Sequence, residues 1–152
     1  MIDKVKITGG CICGAVQYEI SQRPDDYGGY CHCRMCQKSL GGLFGCWVSF
    51  TGPDIADTFR FTREEPKYYR SSEWLERGFC AECGTPLVVR DSTGFGVTIG
   101  SLDHPEDFPP NCHCGIESQV PWLKIDDDLP RRITEDDPSF IAITKGTGDG
   151  PS

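Results

Sequence analysis

Apolar residues come in short runs along this chain, cut by glycine, proline and acidic residues, and no long stretch repeats them at helical spacing. Residues 15–20 show the clearest pattern: Val16, Tyr18 and Ile20 alternate with Gln17 and Glu19, which predicts a strand buried on one face. A shorter strand is expected over 5–8. The glycine-bounded run Gly9-Gly10-Cys11-Ile12-Cys13-Gly14 between them reads as a hairpin end. A polar, turn-rich loop covers 21–29, and one helical turn fits 37–42 before the glycine pair Gly41-Gly42. Residues 43–50, containing Cys46 and Trp47, read as a buried strand, with further strands over 58–62, 67–71, 75–79, 87–90 and 94–100. Residues 101–114 are loop-like around Pro105, Pro109 and Pro110, and 121–125 read as a short element that docks Trp122 into the body. With turn signals roughly every 8 to 12 residues and weak helix signal, the expected fold is a mainly antiparallel β domain with little helix. A single domain over 1–142 and a flexible glycine-rich tail over 143–152 complete the expectation, and no internal repeat is visible.

The length of 152 residues suits one self-sufficient core. A net charge of -8, from 23 acidic against 15 basic residues without a Lys/Arg cluster, argues against a nucleic-acid partner. No apolar run approaches 18 residues and no basic start precedes an apolar stretch, so neither a membrane span nor a signal peptide is expected, and the reading is cytoplasmic. The 10 cysteines therefore ask for a use other than disulfides, which reducing compartments disfavour. A secreted disulfide scaffold is the competing account. The even count suits it, but the missing signal peptide and the C-x-C and C-x-x-C spacings do not.

Those spacings point to metal. Cys31, Cys33 and Cys36 put three sulfurs on one tight loop, where they can face a common centre about 2.3 Å away, as zinc requires. Three protein ligands leave a position for water or a substrate atom. Cys11 and Cys13 with Cys80 and Cys83 supply four thiolates from distant halves of the chain, the composition of a closed, structural site.

Several stretches, in order over roughly 7–125, carry a resemblance. They are Gly10-Cys11-Ile12-Cys13-Gly14-Ala15-Val16, Cys31-His32-Cys33-Arg34-Met35-Cys36-Gln37-Lys38-Ser39, Phe79-Cys80-Ala81-Glu82-Cys83-Gly84-Thr85-Pro86-Leu87, Gly100-Ser101-Leu102-Asp103, and His113 followed by Glu117-Ser118 and Pro121-Trp122. Together they resemble the glutathione-dependent formaldehyde-activating enzymes, the CENP-V/GFA domain family. The resemblance implies an Mss4-like, mainly β fold. It implies structural zinc ligands at Cys11, Cys13, Cys80 and Cys83, and catalytic zinc ligands at Cys31, Cys33 and Cys36. It implies a carbon–sulfur lyase of the S-(hydroxymethyl)glutathione synthase type, with glutathione or a similar small thiol and a small aldehyde as partners.

Other readings stay open at this level. Cys112 and Cys114 repeat the C-H-C pattern and could complete or alter the second metal site, form a redox pair, or be spare thiols; Cys46 is a core residue or a fourth ligand. His32 and His113 are each a general base or a packing histidine. Arg34, Lys38, Arg70, Arg77 and Lys124 are the cations available to substrate carboxylates, none placed by a motif. A non-catalytic zinc-stabilised β scaffold that binds a protein partner, and thiol redox chemistry at Cys112 and Cys114, are the rival functions. Oligomeric state is not legible.

Overall fold

The computed structural model describes residues 4–26 and 28–146. The strands are β1 Ile7–Gly10, β2 Gln17–Ile20, β3 Tyr30–Cys31, β4 Gly45–Thr51, β5 Phe59–Phe61, β6 Lys67–Arg70, β7 Glu76–Phe79, β8 Pro86–Arg90, β9 Gly94–Thr98 and β10 His113–Cys114. Three helices join them: α1 Arg34–Leu40, α2 Ile55–Thr58 and α3 Pro138–Gly146. The fold is mainly β, in two sheets. One has three strands in the order β1-β2-β5; the other has seven in the order β10-β3-β4-β9-β8-β7-β6. All pairings between strands are antiparallel except β10 with β3, which run parallel because the chain returns to that edge after the long connection from β9.

Period-two alternation decides what each sheet buries. In β2, Tyr18 and Ile20 are buried, as the alternation predicts, and Phe59 from the neighbouring β5 stacks on Tyr18 with ring centroids 5.6 Å apart. Phe59 also stacks on Phe95 of β9 at 4.4 Å, so the small sheet and the large one meet through these rings. Across the large sheet the register lines up Gly78, Val88, Val97 and Val48 in one row facing this core. The adjacent row is Arg77, Val89, Gly96 and Ser49, on the opposite face. That row carries a buried arginine, Arg77, and the loop of Cys31, Cys33 and Cys36 lies on its side of the sheet.

Three elements depart from the sequence-based expectation. Helix α1 begins at Arg34, inside the cysteine cluster, and ends at Gly41 in the left-handed region. Its N-cap is Cys33, whose Sγ accepts the Cys36 N–H at 3.3 Å, a sulfur cap that apolar periodicity does not reveal. Helix α3, over Pro138–Gly146, was not expected from the weak helix signal; residues 147–152 of the expected 143–152 tail lie outside the described residues. Asp137 accepts the N–H groups of Ser139 and Phe140 ahead of this helix, and Pro138 occupies its first position, a start signal with a clear physical basis. Third, Trp122 does not dock into the body. It is 71% exposed, because the stretch after Ser118 folds as successive turns and is tied down by the polar side chains of Asp127 and Arg131. Among the described residues no helix is long and apolar enough to cross a membrane.

Candidate metal centres

Two turns from different sheets meet to form the first cluster. Cys11 and Cys13 sit in the β1–β2 turn and Cys80 and Cys83 in the β7–β8 turn, and all four sulfurs lie within 4.8 Å of one another. The two turns are joined by the Ile12 N–H, which donates to Thr85 Oγ1 at 3.1 Å. Cys11 and Cys13 have sulfurs 3.5 Å apart, Cys13 and Cys80 3.7 Å. Tetrahedral ligation at about 2.3 Å requires sulfur separations of about 3.8 Å, so the set fits a zinc-sized ion. In the knuckle, Gly84 has φ +79 and its N–H returns to the Cys80 carbonyl at 2.8 Å, a turn in which a side chain would be strained. The Thr85 hydroxyl and backbone hold the Cys83 thiol down to about 5. By contrast, the Ala15 backbone draws Cys13 downward but the Cys11 sulfur and burial outweigh it, leaving Cys13 pushed up to about 12. Neighbouring thiols thus resist ionising together, and a cation in their midst is what would hold all four as thiolates.

The second cluster is built on the edge of the large sheet. Cys31 closes β3, Cys33 caps α1 and Cys36 lies in its first turn, with the three sulfurs within 4.8 Å of one another and Cys31 and Cys33 3.4 Å apart. Among the described residues no fourth His, Cys, Asp or Glu joins this group. Its protons are distributed unevenly. Hydrogen bonds from Cys31, then Cys36, drive the Cys33 thiol far down. Cys31 is pushed up by Cys114 and by Cys33, and Cys36 by Cys31 and Cys33. The cluster alone carries one negative charge readily, and a divalent cation would stabilise the other two. Each cluster could hold a metal ion.

Beneath the three-cysteine loop runs a buried polar chain. His32 and His113 are both fully buried, their rings stacked with centroids 5.1 Å apart, and His32 Nε2 lies 2.8 Å from His113 Nδ1. His113 Nε2 is 2.9 Å from Asp127 Oδ2, and Arg131 Nη1 donates to Asp127 Oδ1 at 3.0 Å. In the tautomer with its proton on Nε2, His113 donates to the carboxylate and its Nδ1 accepts from His32 Nε2–H. Gln37 adds a clamp: its side-chain amide donates to the His32 carbonyl at 2.8 Å and to the Ser118 carbonyl at 3.0 Å. Gly115 has φ +63, and a Cβ there would stand 2.9 Å from the Cys33 nitrogen, so the chain after β10 presses directly on the metal loop. On the other side, Arg77 Nη2 approaches Cys36 Sγ at 3.7 Å.

With that geometry in hand, the comparisons with known proteins are informative. The sequence model of the glutathione-dependent formaldehyde-activating enzymes matches residues 6–118, about three quarters of the chain and all seven clustered cysteines. The chain belongs to this family. Within it, a protein of Halomonas elongata, provisionally named as a glutathione-dependent formaldehyde-activating enzyme, is 28% identical over 131 residues, covering 79% of this chain and 81% of its own. A crystal structure of a Rhodobacter sphaeroides protein shares the fold, with a TM-score of 0.50 at 22% identity over 68% of this chain and 97% of that one.

Several site residues of this family member could not be placed from sequence. Asp127 and Arg131 lie beyond the matched segment and carry no spacing signal, yet they terminate the histidine chain. Of the five cations considered, Arg77 is the one that reaches a clustered sulfur among the described residues, Nη2 lying 3.7 Å from Cys36 Sγ. Cys46 is half-buried beside Tyr30 in the β3–β4 ladder and stands outside both groups, its thiol pushed up to about 11 by burial. Cys112 is buried; Cys114 pairs with Cys31 across β10 and β3 but does not join the three-sulfur group. His113 is bonded at both ring nitrogens, to His32 and to Asp127, while His32 is bonded at Nε2 and its buried Nδ1 has no hydrogen-bond partner among the described residues.

Proposed function

We infer that the protein is a zinc-dependent carbon–sulfur lyase of the S-(hydroxymethyl)glutathione synthase type. In this reading Cys31, Cys33 and Cys36 hold the reactive metal, and Cys11, Cys13, Cys80 and Cys83 hold a structural one. Family membership supports the reaction class, and the contrast between a four-sulfur and a three-sulfur cluster carries the division of labour. A zinc ion at the second cluster would supply Lewis acidity that keeps a bound small thiol as its thiolate near neutral pH.

The chain's own residues set up the rest. Gln37 and the His32–His113–Asp127 chain lock the loop that presents the three sulfurs, so the geometry is set before substrate arrives. In the addition direction the thiolate sulfur attacks the aldehyde carbon. A C–S bond forms, the carbonyl π pair moves to oxygen, and that oxygen takes a proton to give the hydroxymethyl thioether. The reverse cleaves the C–S bond and returns thiol and aldehyde. His113 is engaged at both ring nitrogens, which favours solvent over it as the proton source.

Exchange between free and thiol-bound formaldehyde, followed by NMR with the ¹³C-labelled aldehyde and glutathione, tests the reading. The wild type accelerates exchange, and Cys36→Ser abolishes the acceleration by more than the roughly 10–100-fold typical of losing a metal's supporting partner. Wild-type exchange no faster than the uncatalysed rate, or full exchange in Cys36→Ser, would sink it.

A further inference from the structure

We propose that Arg77 is the counter-ion of the three-cysteine site, the group that offsets the charge of its thiolates and lets it accept a further thiolate as fourth ligand. The proposal rests on the lyase reading above and adds a residue that the metal motif does not contain.

Arg77 is 6% exposed, in the middle of β7, and it projects from the face of the large sheet opposite the core. Nη2 reaches Cys36 Sγ at 3.7 Å, Nε donates to Ser71 Oγ at 3.1 Å, and the guanidinium lies 5.8 Å from the centre of the Trp47 ring. Among the described residues it forms no ion pair with a carboxylate, whereas Arg60, Arg90 and Arg131 each do. A guanidinium remains protonated, and burying it without an anion is strongly unfavourable. Neither a hydroxyl nor an indole ring carries the missing charge. The sulfur cluster does.

Charge counting gives the consequence. A divalent metal on three thiolates leaves the set at −1, and a substrate thiolate takes it to −2 at a largely buried cluster where water screens poorly. Arg77 returns the total to −1. The four-cysteine site has no need of such a partner: Cys13 is exposed, and its sulfurs are served by the Val16 N–H and the Thr85 hydroxyl. A charge-balancing arginine therefore accompanies the cluster in which the negative charge must increase during turnover, whereas at the closed one the nearby Arg63 donates to the Gly14 carbonyl at 3.1 Å and, among the described residues, no arginine hydrogen-bonds a sulfur. An alternative role, gripping a carboxylate of the substrate, fits less well, since the side chain is nearly sealed from solvent and its donors are turned to Ser71 and Cys36.

The test is a cobalt(II) titration of the reduced, metal-free protein, read by sulfur-to-cobalt charge-transfer absorption, for the wild type, Arg77→Met and Arg77→Lys. Each loaded protein is then titrated with 2-mercaptoethanol, which has no carboxylate, and with glutathione. Arg77→Met should take the first cobalt normally, which reports an intact fold, bind the second about 10–100-fold more weakly, and lose affinity for both thiols by similar factors. Arg77→Lys, which keeps the charge, should stay close to the wild type. Unchanged second-cobalt and thiol affinities in Arg77→Met would overturn the proposal. So would a loss for glutathione alone, which would place Arg77 on the substrate's carboxylate. If Arg77→Met loses the first cobalt too, Arg77→Lys decides: a loss of thiol affinity there means that shape, and not charge, is what matters. A wild type that takes up no second cobalt would bring down the lyase reading itself, an outcome distinct from any of these.

Discussion

At the scale of single residues, the metal loop is held by protons as much as by backbone. Asp127 is kept ionised by the hydrogen bond from His113, opposed by some burial and helped by Arg131, which together bring its carboxyl from 3.8 down to about 2. A carboxyl whose folded pKa is depressed contributes stability that is complete above its unfolded value and disappears as pH falls through the folded one. For Asp127 that window is about 4 down to about 2. The melting-temperature gap between the wild type and Asp127→Asn should therefore stay constant from pH 8 to pH 5. A gap that changes across that range would contradict the depressed Asp127 carboxyl. His32 sharpens the point: burial first, then His113 and Arg131, lower its pKa, so it stays neutral beside a cluster that collects negative charge.

At the scale of elements, the parallel pairing of β10 with β3 is what turns a cysteine motif into a positioned site. It lays His113 beside Tyr30 and Cys114 beside Cys31, stacks the His113 ring on Tyr30 at 4.6 Å, and brings Gly115 against the Cys33 backbone. Replacing Gly115 by alanine forces a left-handed backbone on a residue with a Cβ, at about 1–2 kcal/mol, and pushes that Cβ into the metal loop. The expected result is a protein that remains folded, melts slightly earlier, and takes up one metal ion where the wild type is expected to take up two. Retention of both ions at wild-type affinity would mean that β10 does not shape the loop. Much of this level was readable in the sequence. The alternation in β2 and the glycine-bounded cysteine turns mark strands and knuckles directly, because period two and positive φ leave local signals. The β10–β3 pairing left none, since two-residue strands far apart in the chain have no periodicity to read. Trp122 misled for a related reason: a large aromatic near a proline resembles a docking anchor, but Asp127 and Arg131 hold that segment instead.

Across the whole molecule, the two clusters differ in position. The four-cysteine cluster joins the β1–β2 hairpin of the small sheet to the β7–β8 hairpin of the large one, so a metal there is shared by both halves of the core. Structural zinc sites are worth about 10 kcal/mol or more, comparable to the total stability of a domain this size. Cys80→Ser should therefore unfold the protein or abolish its cooperative melt, whereas Cys36→Ser, at the sheet edge, should melt cooperatively with one metal ion lost. Calorimetry with metal analysis checks this, and equal destabilisation by both would contradict the division. The sequence made the seven ligand candidates legible because cysteine spacing is a local property. Their surroundings were not, because they are tertiary contacts: Arg77 meets Cys36 across 41 residues, Gln37 ties the loop to Ser118 across 81, and Asp127 supports it through His113, 14 residues away in sequence.

The central claim is that one cluster is closed and the other open to a thiol. Zinc X-ray absorption of the reduced protein, recorded before and after adding glutathione, tests it most directly. The account predicts that the average number of sulfurs per zinc rises from about 3.5 to about 4 as the three-cysteine site takes a fourth. An average already at 4, or one that glutathione leaves unchanged, would contradict it.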